Sequence, residues 1–304
     1  MTILCRFHPS RQVLLDFFFN QATCVTKRLI GRFILDCESI PLKDALFMCF
    51  DLETTGINTD EDRIVQLAVS YFHGGQVIQQ HSQIFNPQCP IPQQASEVHG
   101  IYDQDVINQP TFGEFVHKLE PHFRGQVLPH LPPPILLGYN IVSFDVPLFK
   151  SELLRVNQNE SLIDIPMVDL IYFARWYLRN KPLKLVNLCE YFDVSLKHAH
   201  NALFDAKACG MLLPLFYRSG YLAETTGETI KRQTEFMQIL EVEYQDYRRW
   251  LYRDRFTKEL MLGQGKYNGV PLAKVDPGYL SYCLNNYKDI PELVKEAFSH
   301  QLNG

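Results

Sequence analysis

An uninterrupted apolar run that ends in two acids constrains this chain more than any other feature. Residues 45–50 read ALFMCF, and Asp51-Leu52-Glu53 follow directly. A short continuous run of this kind is typical of a strand that is buried on both faces. Side chains alternate sides along a strand, so Asp51 and Glu53 are predicted to point the same way while Leu52 points away.

Two carboxylates on one side of a strand repel one another, and a bound cation lets both stay ionised. Carboxylate oxygens without thiolates favour a hard ion such as Mg²⁺ or Mn²⁺. Acids at strand ends are also common without any such role. The D-x-E pattern taken alone therefore leaves both interpretations open.

The surrounding segment alternates strand-like and helix-like patterns. Further strands are predicted at 64–72, 77–85 and 135–137, with a hairpin turn at 73–76, where the sequence reads HGGQ. Helices are predicted near 112–120, 145–157, 169–179, 184–191 and 202–217. A strand meander followed by alternating helices and strands predicts an α/β layer fold with a mixed sheet.

Length and charge limit the possible functions. The chain has 304 residues, with 29 Lys and Arg against 34 Asp and Glu, a net charge of −5. That balance excludes a histone-like protein that holds nucleic acid by bulk charge, but not an enzyme that reaches phosphates through metal ions. Three segments are predicted: an extension of unknown role at 1–44, a central domain at 45–220 and an accessory region at 221–304.

The cysteines and the hydropathy pattern indicate a compartment. Eight cysteines are spread along the chain without a C-x-x-C pair, which is typical of reduced thiols in a cytosolic protein. No run of 18 or more apolar residues exists, so we expect no membrane-spanning segment. The sequence therefore predicts a cytoplasmic protein with no membrane partner.

Two further stretches carry acids or histidines at suggestive places. Asp145 follows the short strand near 135–137 and opens a helix, a position where acids also occur simply because of the helix dipole. His200 and Asp205 are five residues apart, so an ideal helix would not place them on one face. His200 is therefore predicted in the loop or first turn before the helix that holds Asp205, where its ordinary pKa suits a general base. A zinc site at His198-x-His200 is the disfavoured alternative.

Together these stretches resemble the DEDDh group of 3′→5′ exonucleases, the family of the proofreading epsilon subunit of bacterial replicative polymerase. The motifs that carry the resemblance occur in the expected order: Asp51 and Glu53 in DLETTG, Asn140 and Asp145 in N-x-x-x-x-D, and His200 and Asp205 in H-x-A-x-x-D-A. The stretch 98–101 (VHGI), which contains His99, looks like the family's loop near the terminal nucleotide. Asp169 sits where relatives begin a helix with Asp. Tyr139 departs from the His of many relatives.

The resemblance implies a ribonuclease H-like fold: a mixed five-stranded sheet flanked by helices, here with a small, mostly helical C-terminal extension. It also implies two-metal hydrolysis of phosphodiester bonds with two Mg²⁺ or Mn²⁺ ions. One ion would be held by Asp51, Glu53 and Asp205, and the second by Asp51 and Asp145, with His200 as general base. Substrate contacts are implied for the following residues: Thr54, Thr55, His99, Asn140 and Phe144.

The last eighty residues carry a second, shorter resemblance. The pattern G-K-Y-x-G…D-P-G-Y-L…N-N over about 261–300 is similar to the C-terminal region of exodeoxyribonuclease X. A long helix is predicted over about 228–260, with five basic residues between 248 and 259. Those charges fit either a nucleic-acid contact, with Trp250 or Tyr252 available for stacking, or an ordinary solvated face.

The expected function is metal-dependent 3′→5′ exonuclease activity on DNA, with single-stranded or frayed 3′ ends as substrate. Two alternatives stay open. One is an exoribonuclease that trims RNA, because discrimination depends on the room left for a 2′-hydroxyl. The other is a catalytically silent nucleic-acid-binding module on the same fold, which the complete set of five catalytic residues disfavours.

Overall fold

The computed structural model describes residues 40–178, 181–196, 199–254, 257, 259–287 and 290–303, with the backbone alone for 242–248, 253 and 303. The predicted extension at 1–44 therefore lies almost wholly outside the described residues. The packing divides the chain into two compact units, Met1–Thr234 and Glu235–Gly304.

The first unit is built on a mixed five-stranded sheet, as the sequence predicts. Its strands are β1 Phe47–Thr54, β2 Ile64–His73, β3 Gln76–Ile84, β4 Ile135–Gly138 and β5 Met167–Asp169. They lie in the order β3-β2-β1-β4-β5. The strands β1, β2 and β3 form an antiparallel meander, whereas β4 is parallel to both β1 and β5. The carboxyl ends of β1, β4 and β5 consequently meet at one edge of the sheet.

The predicted hairpin joins β2 and β3. Gly74 and Gly75 both have positive φ values, 59° and 78°, as a tight two-residue turn of the primed type requires. In the register, His73 pairs with Gln76. The hairpin is confirmed, and the predicted strand ends are correct to within one residue.

Helices cover the sheet and connect its parallel strands. Those of the first unit are α1 Gln93–His99, α2 Asp103–Val106, α3 Phe112–Phe123, α4 Asp145–Arg155, α5 Leu170–Tyr177, α6 Leu185–Tyr191 and α7 Ala202–Arg218. All five helices predicted in the central domain are present. The short helices α1 and α2 were not predicted, and neither was β5, which is only three residues long.

Strand β1 is buried on both faces, as its apolar run requires. Phe50 meets the ring of Phe149 of α4 edge to face, with centroids 5.6 Å apart, and also contacts Phe123 of α3. The core cluster continues from these rings through β2 and β4. The motif at the end of β1 is therefore fixed to a well-packed core, and its two acids emerge where that core ends.

Helix α7 lies directly on the sheet. At Gly210 an added Cβ would come within 2.1 Å of the Phe72 ring of β2, so only glycine permits this close approach. The first turn of the helix carries Asp205. The packing of Gly210 against Phe72 thus sets the depth at which Asp205 reaches the sheet edge.

Helix α8, Thr226–Trp250, begins in the first unit and continues into the second. The predicted helix over 228–260 is wrong at its end. Residues from Leu251 onward leave the helix because β6, Leu251–Arg253, pairs antiparallel with β7, Leu260–Leu262. A hairpin replaces what the periodicity suggested was one long helix.

The second unit has a core of its own. After β7 follow α9, Pro277–Asn286, and α10, Glu292–Asn303. Leu251, Leu262 and Phe298 are fully buried in that core. The predicted mostly helical extension is therefore a small packed unit. Among the described residues of the whole chain, no helix is long and apolar enough to cross a bilayer.

Candidate active site

The acids predicted from separate motifs converge at the edge where β1, β4 and β5 end. Asp51 and Glu53 lie on β1, Asp145 begins α4 after β4, and Asp205 lies in the first turn of α7. One carboxylate oxygen from each of Asp51, Glu53 and Asp205 falls within 4.8 Å of the other two. The carboxyl edge of parallel strands is where α/β sheets ordinarily place their ligands.

Asp205 is held in place from its own helix and from the sheet. The Asn201 side chain caps α7 by accepting a hydrogen bond from the backbone N–H of Leu203 at 3.2 Å. The N–H of Ala202 donates to the side-chain oxygen of Gln66 on β2, and Gln66 stands opposite Glu53 in the strand register. Gln66, which the sequence did not single out, thus ties the start of α7 to the strand beside the acids.

Asp145 is joined to the first motif by a backbone contact. Its Oδ1 accepts a hydrogen bond from the N–H of Leu52 at 3.0 Å, and Leu52 lies between Asp51 and Glu53. Asp145 is buried, so this contact fixes a fourth carboxylate beside the other three. The bond explains why the second motif must open a helix at this point, because the helix start directs the side chain at β1.

Burial raises the pKa of all four acids, and neighbouring carboxylates add to the effect at Asp51 and Glu53. Burial is the largest cause for each of them, and it raises the pKa of Glu53 to about 8 and that of Asp145 to about 7. The pKa of Asp205 rises to about 6, and that of Asp51 lies well above its usual range, with the charges of Asp145, Glu53 and Asp205 adding to the burial. Carboxylates in this state hold protons near neutral pH unless a cation replaces them.

The donor set fits a hard divalent cation. Asp205 Oδ1 is buried and has no hydrogen-bond partner among the described residues. Within the same part of the chain, no lysine or arginine forms an ion pair with any of the four acids. Burying a carboxylate oxygen without a hydrogen-bond partner raises the free energy of the folded chain. A hard metal ion removes this penalty, because it binds carboxylate oxygens directly.

His200 lies where the sequence predicts, in the turn just before α7. Its φ is 65° and its side chain is exposed. The His200 N–H donates to Asp205 Oδ2 at 3.0 Å, so Asp205 anchors the backbone of this turn. The imidazole is thereby placed beside the acids, free to reach a water or a substrate. His198, the other residue of the zinc alternative, lies outside the described residues.

Asp169 does more than begin a helix. It is fully buried at the end of β5, and its carboxylate accepts hydrogen bonds from the N–H groups of Asn140, Val142 and Ile171, at 2.7, 3.0 and 3.2 Å. Burial raises its pKa to about 6. Asp169 therefore clamps the turn between β4 and Asp145, and it positions the second motif instead of joining the acidic cluster.

The other motif residues are mostly committed to the protein itself. Thr55 donates from its hydroxyl to Asp62 Oδ1 and from its N–H to the Arg63 carbonyl. The Thr54 hydroxyl donates to the Gly56 carbonyl. Asn140 has a φ of 69°, which suits its place in the turn after β4. Phe144 is half-buried against the core.

His99 is the exception among the predicted substrate residues. Its ring is buried near the backbone of Thr54, and Nδ1 accepts a hydrogen bond from the N–H of Ile101 at 3.1 Å. The neutral ring then carries its proton on Nε2, which is buried without a described partner. Burial lowers the His99 pKa, which favours this neutral form. His99 thus lies beside the first motif, with the Thr54 backbone close enough to raise its pKa against the effect of burial.

A network of ion pairs, which the sequence did not reveal, supports the loop that follows the first motif. Glu152, in the last turn of α4, is fully buried and accepts from Arg63 Nε at 2.6 Å and from Arg155 Nη1 at 3.1 Å. Arg155 also donates to the Asp62 carbonyl at 2.9 Å. These contacts fix the loop that connects the end of β1 with β2.

The chain belongs to the RNase_T exonuclease family, whose model matches residues 48–213. The match contains all five predicted catalytic residues. The similarity to exodeoxyribonuclease X lies beyond the matched residues and stays a prediction.

Known proteins of two kinds resemble the chain. A PolC-type DNA polymerase III of Streptococcus thermophilus is 29% identical over 186 residues, which is 61% of this chain and 12% of the polymerase. This chain therefore corresponds to a small part of that relative. Among solved structures, Escherichia coli exonuclease I in a zinc-bound complex with single-stranded DNA gives a TM-score of 0.51 at 18% identity, covering 81% of this chain and 60% of that one. The same enzyme with a dT13 oligonucleotide gives a TM-score of 0.50. These likenesses support the ribonuclease H-like fold.

Proposed function

We propose that this protein is a divalent-metal-dependent 3′→5′ exonuclease that acts on DNA with single-stranded or frayed 3′ ends. The observation that carries the proposal is the convergence of Asp51, Glu53 and Asp205 within 4.8 Å, with Asp145 bonded to the intervening Leu52. A purely structural group of buried acids would be paired with arginine or lysine inside the chain. This group is suited instead to a cation and a phosphate brought from outside.

Each acid has a distinct part in the proposed site. Asp51, Glu53 and Asp205 would hold one Mg²⁺ or Mn²⁺ ion, while Asp51 and Asp145 would hold a second. Bound ions of this kind activate water and offset the negative charge that develops on the phosphate during in-line displacement. The chain's contribution is the rigid spacing of the four carboxylates, which the β1 core, the Leu52 contact and the α7 cap maintain.

His200 would act as the general base. A histidine next to the acids can accept the proton of the attacking water, because its pKa ordinarily lies close to physiological pH. The exposed side chain and the anchored backbone of His200 suit this role, since the ring can move while its attachment stays fixed. His99, which lies near Thr54, would help hold the base or phosphate of the 3′-terminal nucleotide.

The preference for DNA follows from the relatives and not from a residue of the site. The curated relative is by name a DNA polymerase, and the exonuclease I structures are described with DNA oligonucleotides. RNA remains the direct competitor because its sugar differs from that of DNA only at the 2′-hydroxyl. The experiment therefore has to offer both.

The test is degradation of 5′-labelled, 30-nucleotide single strands of DNA and RNA by the full chain, with Mg²⁺, Mn²⁺ or EDTA. Wild type is expected to shorten DNA from the 3′ end with either ion and not with EDTA, and Asp51→Ala is expected to be inactive. Asp44→Ala, an exposed acid just before β1, is the matched control and should behave as wild type. Equal rates of shortening by wild type and Asp51→Ala on both substrates would refute the proposal. Faster shortening of RNA than of DNA would identify RNA as the preferred substrate.

A further inference from the structure

The second unit carries a continuous row of aromatic rings on its surface, here called the tyrosine row. The row consists of Tyr267, Tyr279, Tyr282, Tyr287 and Trp250. Successive ring centroids lie 4.9, 6.4, 6.3 and 5.3 Å apart. Trp250 is buried in the core of the unit and anchors one end of the row.

Two members of the row face solvent. Tyr282 is 53% exposed and Tyr287 is 47% exposed, whereas Tyr267 and Tyr279 are half-buried. Single exposed tyrosines need no explanation, but adjacent ones in mutual contact form a patch, and such patches commonly mark a binding surface. A tyrosine ring offers a flat apolar face and loses little conformational entropy on binding.

The row is rigidly mounted. Tyr279 and Tyr282 are three residues apart on α9 and so share a face of that helix. Asp276 caps the helix by accepting from the Tyr279 N–H at 3.0 Å, and the Tyr279 hydroxyl accepts from the N–H of Lys266 at 3.1 Å. The start of α9 and the Tyr279 ring are therefore held in place, and α9 also carries Tyr282.

The charge near the row favours an anionic partner. Arg249 and Lys266 are exposed and adjoin in the chain the two end members of the row, Trp250 and Tyr267. At one end of the row the Lys266 ammonium lies 5.3 Å from the centroid of the Tyr267 ring. Basic residues interspersed with aromatic rings are the combination that binds single-stranded nucleic acid, since phosphates meet the charges and bases stack on the rings.

We propose that the tyrosine row, together with Lys266 and Arg249, binds single-stranded DNA at a site in the second unit that is separate from the carboxylates. The inference deepens the proposed function and rests on it for the identity of the strand. A strand long enough to reach both units would be held twice, which raises its apparent affinity without any change at the catalytic acids. The second unit would then select long single strands as substrates.

The test measures binding of 5′-labelled oligo(dT) by fluorescence anisotropy, using the full chain with Asp205→Asn so that the strand is not cut. In this background, Tyr282→Ala with Tyr287→Ala is expected to weaken binding of a 30-mer roughly tenfold or more. Binding of a 5-mer should be weakened less, because a strand too short to occupy both sites gains nothing from being held twice. The pair Tyr282→Phe with Tyr287→Phe keeps both rings and should bind as the parent does.

Leu293→Ala is the matched control, since Leu293 is 41% exposed in the same unit and lies outside the row. An unchanged 30-mer affinity in the alanine pair, or equal losses in the alanine pair and the control, would overturn the proposal. Tighter binding of oligo(U) through the same rings would overturn the assignment to DNA. If the alanine pair melts early, Tyr282→Ala alone gives the same test, with an expected loss of roughly fivefold.

The two proposals fail separately. A wild-type chain that shortens neither DNA nor RNA would refute the proposed exonuclease. The anisotropy comparison involves no cleavage and would still decide whether the tyrosine row binds a strand.

Discussion

Two groups of buried carboxylates in the first unit, Glu152 and the acids at the sheet edge, have opposite surroundings. Glu152 is enclosed by the guanidinium groups of Arg63 and Arg155. The acids at the sheet edge lie close to one another instead, and burial is the largest cause of the raised pKa of each. A charge that is matched inside the chain serves the fold, whereas a group of like charges without a partner serves a ligand.

One helix connects the two places. Asp145 begins α4 and Glu152 lies two turns further on, so both project from similar sides of the helix. The helix is thus clamped at its far end by the ion network while its near end holds an acid against Leu52. The difference between the two groups is one of surroundings, since the residue types are the same.

The largest expected effect distinguishes the two groups by stability. Glu152→Ala leaves Arg63 and Arg155 without their partner and should lower the free energy of unfolding by about 3 kcal/mol. Asp205→Asn removes a like charge from the acidic edge and should leave the chain in EDTA as stable as wild type, or more so. Urea unfolding in EDTA measures both, with Glu152→Gln as the conservative variant of intermediate stability.

Comparable losses of stability in Asp205→Asn and Glu152→Ala would contradict this distinction between the ion network and the acidic edge. They would mean that the acidic edge also holds the fold together.

A smaller effect distinguishes the role of His200 from that of the acids beside it. His200→Ala should lower the single-turnover rate by a factor on the order of 10², because a positioned base contributes about that much. Its affinity for Mn²⁺ should stay the same, since the acids are intact. His117→Ala, an exposed histidine on α3, is the control. A rate equal to that of wild type would remove His200 from the role of base.

The smallest expected effect is a pH dependence. Glu53 has a pKa of about 8 and Asp145 of about 7, so bound protons compete with the cation below those values. Affinity for Mn²⁺ should fall about tenfold in total between pH 8 and pH 7 through competition by these two protons, as calorimetry would measure.

The stability of the metal-free chain should change in the opposite sense. The folded chain holds protons on these acids that the unfolded chain loses near pH 4. This contribution to stability is therefore complete below about pH 4 and is lost as the pH rises through the folded pKa values of about 6, 7 and 8. Thermal melts in EDTA at pH 6 and pH 8 test this, and the difference should shrink in Asp205→Asn. A difference of the same size in that variant would assign the pH dependence to other groups.

Local pattern was sufficient for much of the fold. The apolar run before Asp51, the Gly74-Gly75 turn and the helix after His200 were all predictable, because each is specified by neighbouring residues. Strand β5 was missed because its three residues merge with the apolar start of α5. Its edge is completed by Gln233, whose side-chain oxygen accepts from the Asp169 N–H at 2.6 Å, a contact no local pattern shows.

The end of α8 was missed for a related reason. The apolar spacing up to Leu251 continues a helical period, but pairing with β7 overrides it. The ion network was invisible because Glu152 occupies a helical position where an exposed acid is equally ordinary.

The sequence by itself indicated the family to which the chain belongs and the acids that the fold brings together. Carboxylates and a histidine at those spacings are specified residue by residue. Only the tertiary structure decided that Asp51 and Asp205, far apart along the chain, come within ligand distance, and that Glu152 is neutralised while they are not. The reason is that proximity and burial depend on strand order and helix packing, and these determine whether a buried charge finds its partner inside the chain.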